Sequence, residues 1–206
     1  MSDDFALLDE PRRPWVDPEQ LRSKFLRLST VVHPDHFHAV ADEEKRALTQ
    51  QFADLNAAYN RLREPRERLR YLLELELGAK PTDVQRIPPG TMDLFMAVGQ
   101  LCRDTDTFLA GKAKATSPML KVSLFEQGLE WTDKLNALQR KINAKRETLD
   151  EELKTFNATW ESAPAIGSPA RIPALPLERL EQVYRVFSYI ARWTEQIQER
   201  VVQLSF

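Results

Sequence analysis

The stretch that decides the fold runs from Asp17 to Gly78: DPEQLRSKFLRLSTVVHPDHFHAVADEEKRALTQQFADLNAAYNRLREPRERLRYLLELELG. In its first part Leu21, Phe25, Leu28 and Val32 recur at steps of 4, 3 and 4, which puts them on one face of an α-helix. Asp17 is placed to cap that helix, with Pro18 at the first helical position and Gln20 three residues past the cap. Pro34 disfavours helical geometry at His33, so the helix stops near Val32. Leu48, Phe52, Leu55, Tyr59 and Leu62 repeat the pattern in a second helix, entered through Asp42-Glu43-Glu44 and ended before Pro65. Two amphipathic helices joined by the short loop HPDHFHAV read as an antiparallel hairpin. A third, shorter helix from Glu67 to Leu77 carries Leu69, Leu72 and Leu73 and stops at Gly78.

Downstream, residues 79–90 (AKPTDVQRIPPG) hold four helix breakers in twelve positions. This marks a boundary, dividing the chain into 1–78, a linker 79–90, and 91–206. One helix is predicted from Thr91 to about Gly111. A longer one carries Trp131, Leu135, Leu138, Ile142, Leu149, Leu153, Phe156 and Trp160. The last carries Val183, Phe187, Ile190, Ile197, Val201 and Leu204. Their shared spacing suggests an elongated antiparallel three-helix bundle. The connection SAPAIGSPARIPALP, 162–176, reads as a solvent-exposed loop. No segment alternates with period two, so the chain is read as all-α.

Composition narrows the function classes. The 206 residues include one cysteine, Cys102, so neither an internal disulfide nor a cysteine-rich zinc site is available. Cys102 falls on a bundle helix and is expected to be packed rather than reactive. The formal charge of −2 gives no general attraction for nucleic acid. Residues 1–80 hold 13 basic against 15 acidic side chains and 81–206 hold 16 against 16, so any electrostatic docking is local. One local asymmetry is Arg22, Lys24 and Arg27 on the helix entering the loop, which also reads as a plain solvated face. No apolar run approaches the length of a membrane span. The acidic start MSDDFALLDE lacks a signal-peptide layout, so a cytoplasmic protein is expected.

All three histidines lie between positions 33 and 38. His33, Asp35, His36 and His38 have metal-ligand chemistry, but they crowd around a proline and no fourth ligand is evident. No nucleophile or glycine-rich phosphate loop couples to them. The remaining reading is a recognition tip: Pro34 stiffens the loop, and His33 and Asp35 flank it.

A helix, His-Pro-Asp, then a second helix, with basic residues on the incoming helix, resembles the J domain of co-chaperones for DnaK-type chaperones. HPDHF is similar to the HPDKF of the HscB group. Asn56, Ala58, Tyr59, Leu62, Pro65, Arg68, Tyr71, Leu72 and Leu73 match that group's pattern, and the bundle agrees with its architecture. The resemblance covers residues 5–77 firmly and 91–206 more loosely.

It implies a co-chaperone, not an enzyme, with no cofactor or metal of its own. His33, Pro34 and Asp35, with Arg22, Lys24 and Arg27, would dock on an HscA/DnaK-type chaperone and stimulate its ATP hydrolysis. The bundle would deliver an IscU-like iron–sulfur scaffold. By position Phe95 and Met96, with Tyr189 opposite, correspond to the scaffold-binding patch, although the same residues also read as bundle core, and a third apolar position of the family falls on Gly99. Ser29-Thr30-Val31-Val32 stand where J domains carry a basic and an aromatic residue, so the positive face ends at Arg27. The amino-terminal cysteine pairs of eukaryotic members are absent, which points to a bacterial member without zinc. An adaptor that delivers another client through a divergent bundle remains the alternative. The resemblance says nothing of oligomeric state, and a monomer suffices for these roles.

Overall fold

The computed structural model describes residues 3–32, 42–81 and 87–205. Every regular element among them is helical: α1 Asp4–Leu7, α2 Pro18–Val32, α3 Asp42–Arg63, α4 Pro65–Leu77, α5 Met92–Lys112, α6 Pro118–Glu161, α7 Arg171–Ala174 and α8 Leu177–Leu204. The chain is all-α, as its periodicity requires.

Local chemistry sets the helix ends. Asp17 caps α2, its Oδ1 accepting from the backbone N–H groups of Glu19 at 3.0 Å and Gln20 at 2.9 Å. Asp17→Ala leaves both donors to water, so a loss of about 1 kcal/mol is expected in urea unfolding. An unchanged midpoint would mean the cap contributes nothing. Helix α4 begins at Pro65, two residues earlier than the sequence suggests, because proline at the first helical position has no N–H to satisfy. Its far end is closed by Gly78 at φ 71°, whose N–H bonds the Glu74 carbonyl, a backbone state glycine adopts without a Cβ penalty. Helix α6 starts at Pro118, well before the apolar rhythm that begins at Trp131, again with proline in the first turn.

The chain packs as two units, residues 1–82 with 151–184, and 83–150 with 185–206. Packing therefore departs from chain order: residues 151–184, on the carboxy-terminal side of the 79–90 linker, belong to the first unit. Helices α6 and α8 each contribute to both.

In the first unit α2 and α3 are antiparallel. Phe25 stacks on Tyr59 with centroids 4.3 Å apart, while Leu28, Val31 and Val32 face Gln51, Asp54 and Leu55. Phe5, Leu8, Leu21, Leu62, Leu69, Leu72 and Leu73 are fully enclosed and form the core under the hairpin. Buried Arg68 ties it together, its guanidinium donating to the carbonyls of Pro14 at 2.8 Å and Leu62 at 2.6 Å. Asp4 pairs with Arg61 and its N–H reaches the Tyr71 hydroxyl at 3.1 Å. Burial raises the Asp4 carboxyl above its ordinary pKa, which the Arg61 charge offsets only in part.

The 162–176 connection is not simply an exposed loop. Much of it faces solvent, but Leu175 is buried and α7 turns Arg171 inward. There its Nε and Nη2 each donate to Glu76 at 2.7 Å, and Nη1 donates to the Pro164 carbonyl at 2.8 Å. A bidentate pair sequestered from water overrides the exposure that the Pro-rich composition suggests.

In the second unit α5, α6 and α8 form an up–down–up bundle. Phe95 meets Tyr189 and Lys112 meets Leu204, so α5 and α8 run parallel. Phe108 packs on Trp131, and Gln139 donates to Thr194, so α6 runs against both. Val98, Cys102, Leu135, Ile142, Phe187, Trp193 and Ile197 are buried between them. Burial also raises the Cys102 thiol pKa, which favours the unreactive protonated form.

Candidate functional site

The triplet His33, Pro34 and Asp35, together with His36 and His38, lies outside the described residues. What the structure describes is its base. Of the basic residues expected there, Lys24 and Arg27 are three positions apart, about 60° around α2, and share a face, whereas Arg22 lies well over 90° from both. Arg22 is exposed.

Lys24 and Arg27 are both engaged. Lys24 Nζ donates to the Asp9 carbonyl and to Glu10 Oε1, each at 2.8 Å. Arg27 Nη2 donates to Asp9 Oδ2 at 2.8 Å. The acidic partners are set by the end of α1. Asp9 adopts φ 54°, its N–H bonding the Ala6 carbonyl, while the Glu10 N–H bonds the Phe5 carbonyl. That is a Schellman closure with aspartate, one of the few side chains that tolerate it, in the glycine position. It swings Asp9 and Glu10 toward α2, where the Glu10 carboxylate is fully buried and also accepts from Arg13. The positive face of α2 is thus partly neutralised from within. Sequence reasoning missed Asp9 and Glu10, treating the acidic start only as an argument against a signal peptide. Their signal was weak: an Asp directly after the short apolar run Phe5 to Leu8.

The residues that narrow the family resemblance have a structural job. Ala58, Leu62, Tyr71, Leu72 and Leu73 are buried, Arg68 bridges two carbonyls, and Asn56 donates to the Phe52 carbonyl at 2.7 Å. They fix how α3 and α4 carry the hairpin rather than forming a surface.

The second candidate surface lies in the bundle unit. Helices α5 and α8 bring Phe95, Met96 and Tyr189 to one cleft of about 370 Å³. Phe95 and Tyr189 meet edge to face at 6.4 Å and 77°, and Tyr189 leans on buried Trp193 at 5.6 Å. Met96 is 58% exposed and Phe95 37%, so neither is enclosed core. Exposed apolar side chains around a concavity with an aromatic wall are suited to receive a side chain from a partner. Val98, Gly99, Arg103, Arg192 and Gln196 complete the lining. Of these, only Gly99 was placed at the patch from the sequence, through the family resemblance; Arg103 stands one helical turn from it, and Trp193 one turn from Tyr189.

A further apolar stripe runs along the start of α6 through Met119, Val122, Phe125 and Leu129. All four are exposed, Met119 to 85%. Among the described residues, no group of three or more His, Cys, Asp or Glu side chains is placed to hold a metal ion. Nor is any helix among them long and apolar enough to cross a membrane.

A helical hairpin with a third packed helix, followed by a three-helix bundle, is the fold of HscB-type co-chaperones. The crystal structure of the human co-chaperone protein HscB is similar with a TM-score of 0.61 at 19% sequence identity, over 97% of this chain and 82% of that one. Chaperone HscB from Vibrio cholerae is similar with a TM-score of 0.48 and 22% identity, over 95% of this chain and 99% of that one. No family model matches the sequence.

Proposed function

We propose that this chain is a non-enzymatic co-chaperone of the HscB kind. Through His33-Pro34-Asp35 at the end of α2 it docks on a DnaK- or HscA-type chaperone and stimulates its ATP hydrolysis. Through the Phe95–Met96–Tyr189 cleft it carries an IscU-like iron–sulfur scaffold to that chaperone. Joining two docking surfaces in one chain raises the effective concentration of scaffold at the chaperone, so neither contact needs high affinity. The cluster is cargo held by the scaffold, which is consistent with a chain whose single cysteine is buried. Neither nucleic acid nor membrane enters the scheme, and it places the protein in the cytoplasm.

One conjunction carries this reading: the His-Pro-Asp triplet follows directly on α2 of an antiparallel hairpin, in a chain whose fold as a whole is that of the human HscB. The test is steady-state ATP hydrolysis by the DnaK- or HscA-type chaperone of the same organism. Adding the full chain should accelerate it, and adding the organism's IscU-like scaffold should accelerate it further. No acceleration by the chain alone at micromolar concentrations would sink the proposal.

A second reading keeps the hairpin and changes the client. It is favoured by Gly99, where an apolar side chain would have enlarged the patch. Stimulation of the ATPase without measurable scaffold binding would select it.

A further inference from the structure

The scaffold-docking cleft has a charge that its apolar residues do not announce. Its lining holds two arginines, Arg103 from α5 and Arg192 from α8, and no carboxylate. Arg103 is folded back along its own helix. A Cβ on Gly99 would lie 3.4 Å from Arg103 Nη1, while Arg103 Nη2 donates to Gln100 Oε1 at 2.9 Å. The missing side chain at Gly99 is therefore replaced at the cleft surface by a guanidinium held in place by Gln100. On the opposite wall the Arg192 guanidinium lies 6.0 Å from the Tyr189 ring. Both arginines are exposed at the rim of an apolar seat.

We infer that this cleft selects an acidic segment of its partner: an apolar side chain seats between Phe95, Met96 and Tyr189, and a flanking carboxylate is held by Arg103 and Arg192. Guanidinium forks match carboxylates in geometry as well as charge. A basic partner segment would meet two like charges beside the seat, which discriminates against it. The inference rests on the cleft being the scaffold-docking surface, and it adds the chemistry by which that surface chooses.

The experiment is calorimetric titration of the full chain with the organism's own IscU-like scaffold at low and high salt. Wild type is compared with Met96→Ala, Arg103→Glu and Arg192→Glu, each checked for unchanged helicity. The expected result is that each charge reversal weakens binding by about tenfold or more. Wild-type binding should also fall as salt rises, and less steeply in the reversed variants. If Met96→Ala weakens binding while both reversals stay within about twofold of wild type, the selection rule is overturned and the docking surface stands. If the reversals tighten binding, the partner segment is basic and the inference is wrong. If wild type does not bind the scaffold, docking and selection fail together.

Discussion

His33→Gln should bring the chaperone's ATP hydrolysis back to its unstimulated rate while leaving the circular dichroism spectrum of the chain unchanged. The two halves of this result have separate physical grounds. The hairpin is held below the loop by Leu21, Leu55, Ala58 and Leu62, all buried, and by the Phe25–Tyr59 stack. These contacts lie along α2 and α3 themselves, so the variant is expected to keep its fold. In the proposed docking the contact has little redundancy. Lys24 and Arg27 are already paired with Asp9 and Glu10, which leaves the triplet to supply most of the specific interaction. Loss of a central recognition side chain costs about 2 kcal/mol or more, roughly thirtyfold in affinity. A single-turnover ATPase assay at fixed co-chaperone concentration reads this directly. Normal stimulation by the variant would mean that the triplet is not the docking element.

The largest expected effect on stability is at Glu76. Its carboxylate and the Arg171 guanidinium are both almost wholly removed from water, with side-chain exposures of 3% and 8%. Hydrogen bonding to Glu76 raises the Arg171 pKa; with that partner removed the guanidinium still keeps its proton, because arginine is intrinsically too weak an acid to lose it. Glu76→Ala leaves that charge buried with the Pro164 carbonyl as its remaining acceptor in the 162–176 connection. Breaking a buried pair from one side costs about 3–5 kcal/mol, and urea unfolding of the full chain should show it. The double change Glu76→Leu with Arg171→Met removes both charges and is expected to recover most of the loss, because apolar side chains of similar volume need no pairing there. A loss below about 1 kcal/mol for the single variant would mean that water reaches the site.

Much of the helical framework was legible because its causes are short-range. The 4-3-4 spacing of Leu21, Phe25, Leu28 and Val32, the Asp17 cap and the Gly78 stop each depend on residues within one or two turns. The departures have local reasons too: Pro65 extends α4 and Pro118 extends α6, since proline is favoured in a first turn. Spacing showed candidate residues only one helix at a time; the grouping of Phe95 and Met96 with Tyr189 across α5 and α8 came from the family resemblance, and the structure brings the three to one cleft. The grouping of Arg22 with Lys24 and Arg27 did not survive the geometry of α2, which turns Arg22 away.

Sequence by itself determined that this chain is all-α, where α2, α3 and α5 begin and end to within about a residue or two, and that a His-Pro-Asp triplet joins two amphipathic helices. Tertiary structure alone decided the rest. Asp9 and Glu10 neutralise Lys24 and Arg27 across 14 to 18 positions. Arg171 reaches Glu76 across 95. Arg103 and Arg192 border one cleft from separate helices. Periodicity and capping are set by neighbours within a turn or two along the chain. Pairing, burial and the charge of a cleft depend on which helix faces meet, and that emerges only when the core closes.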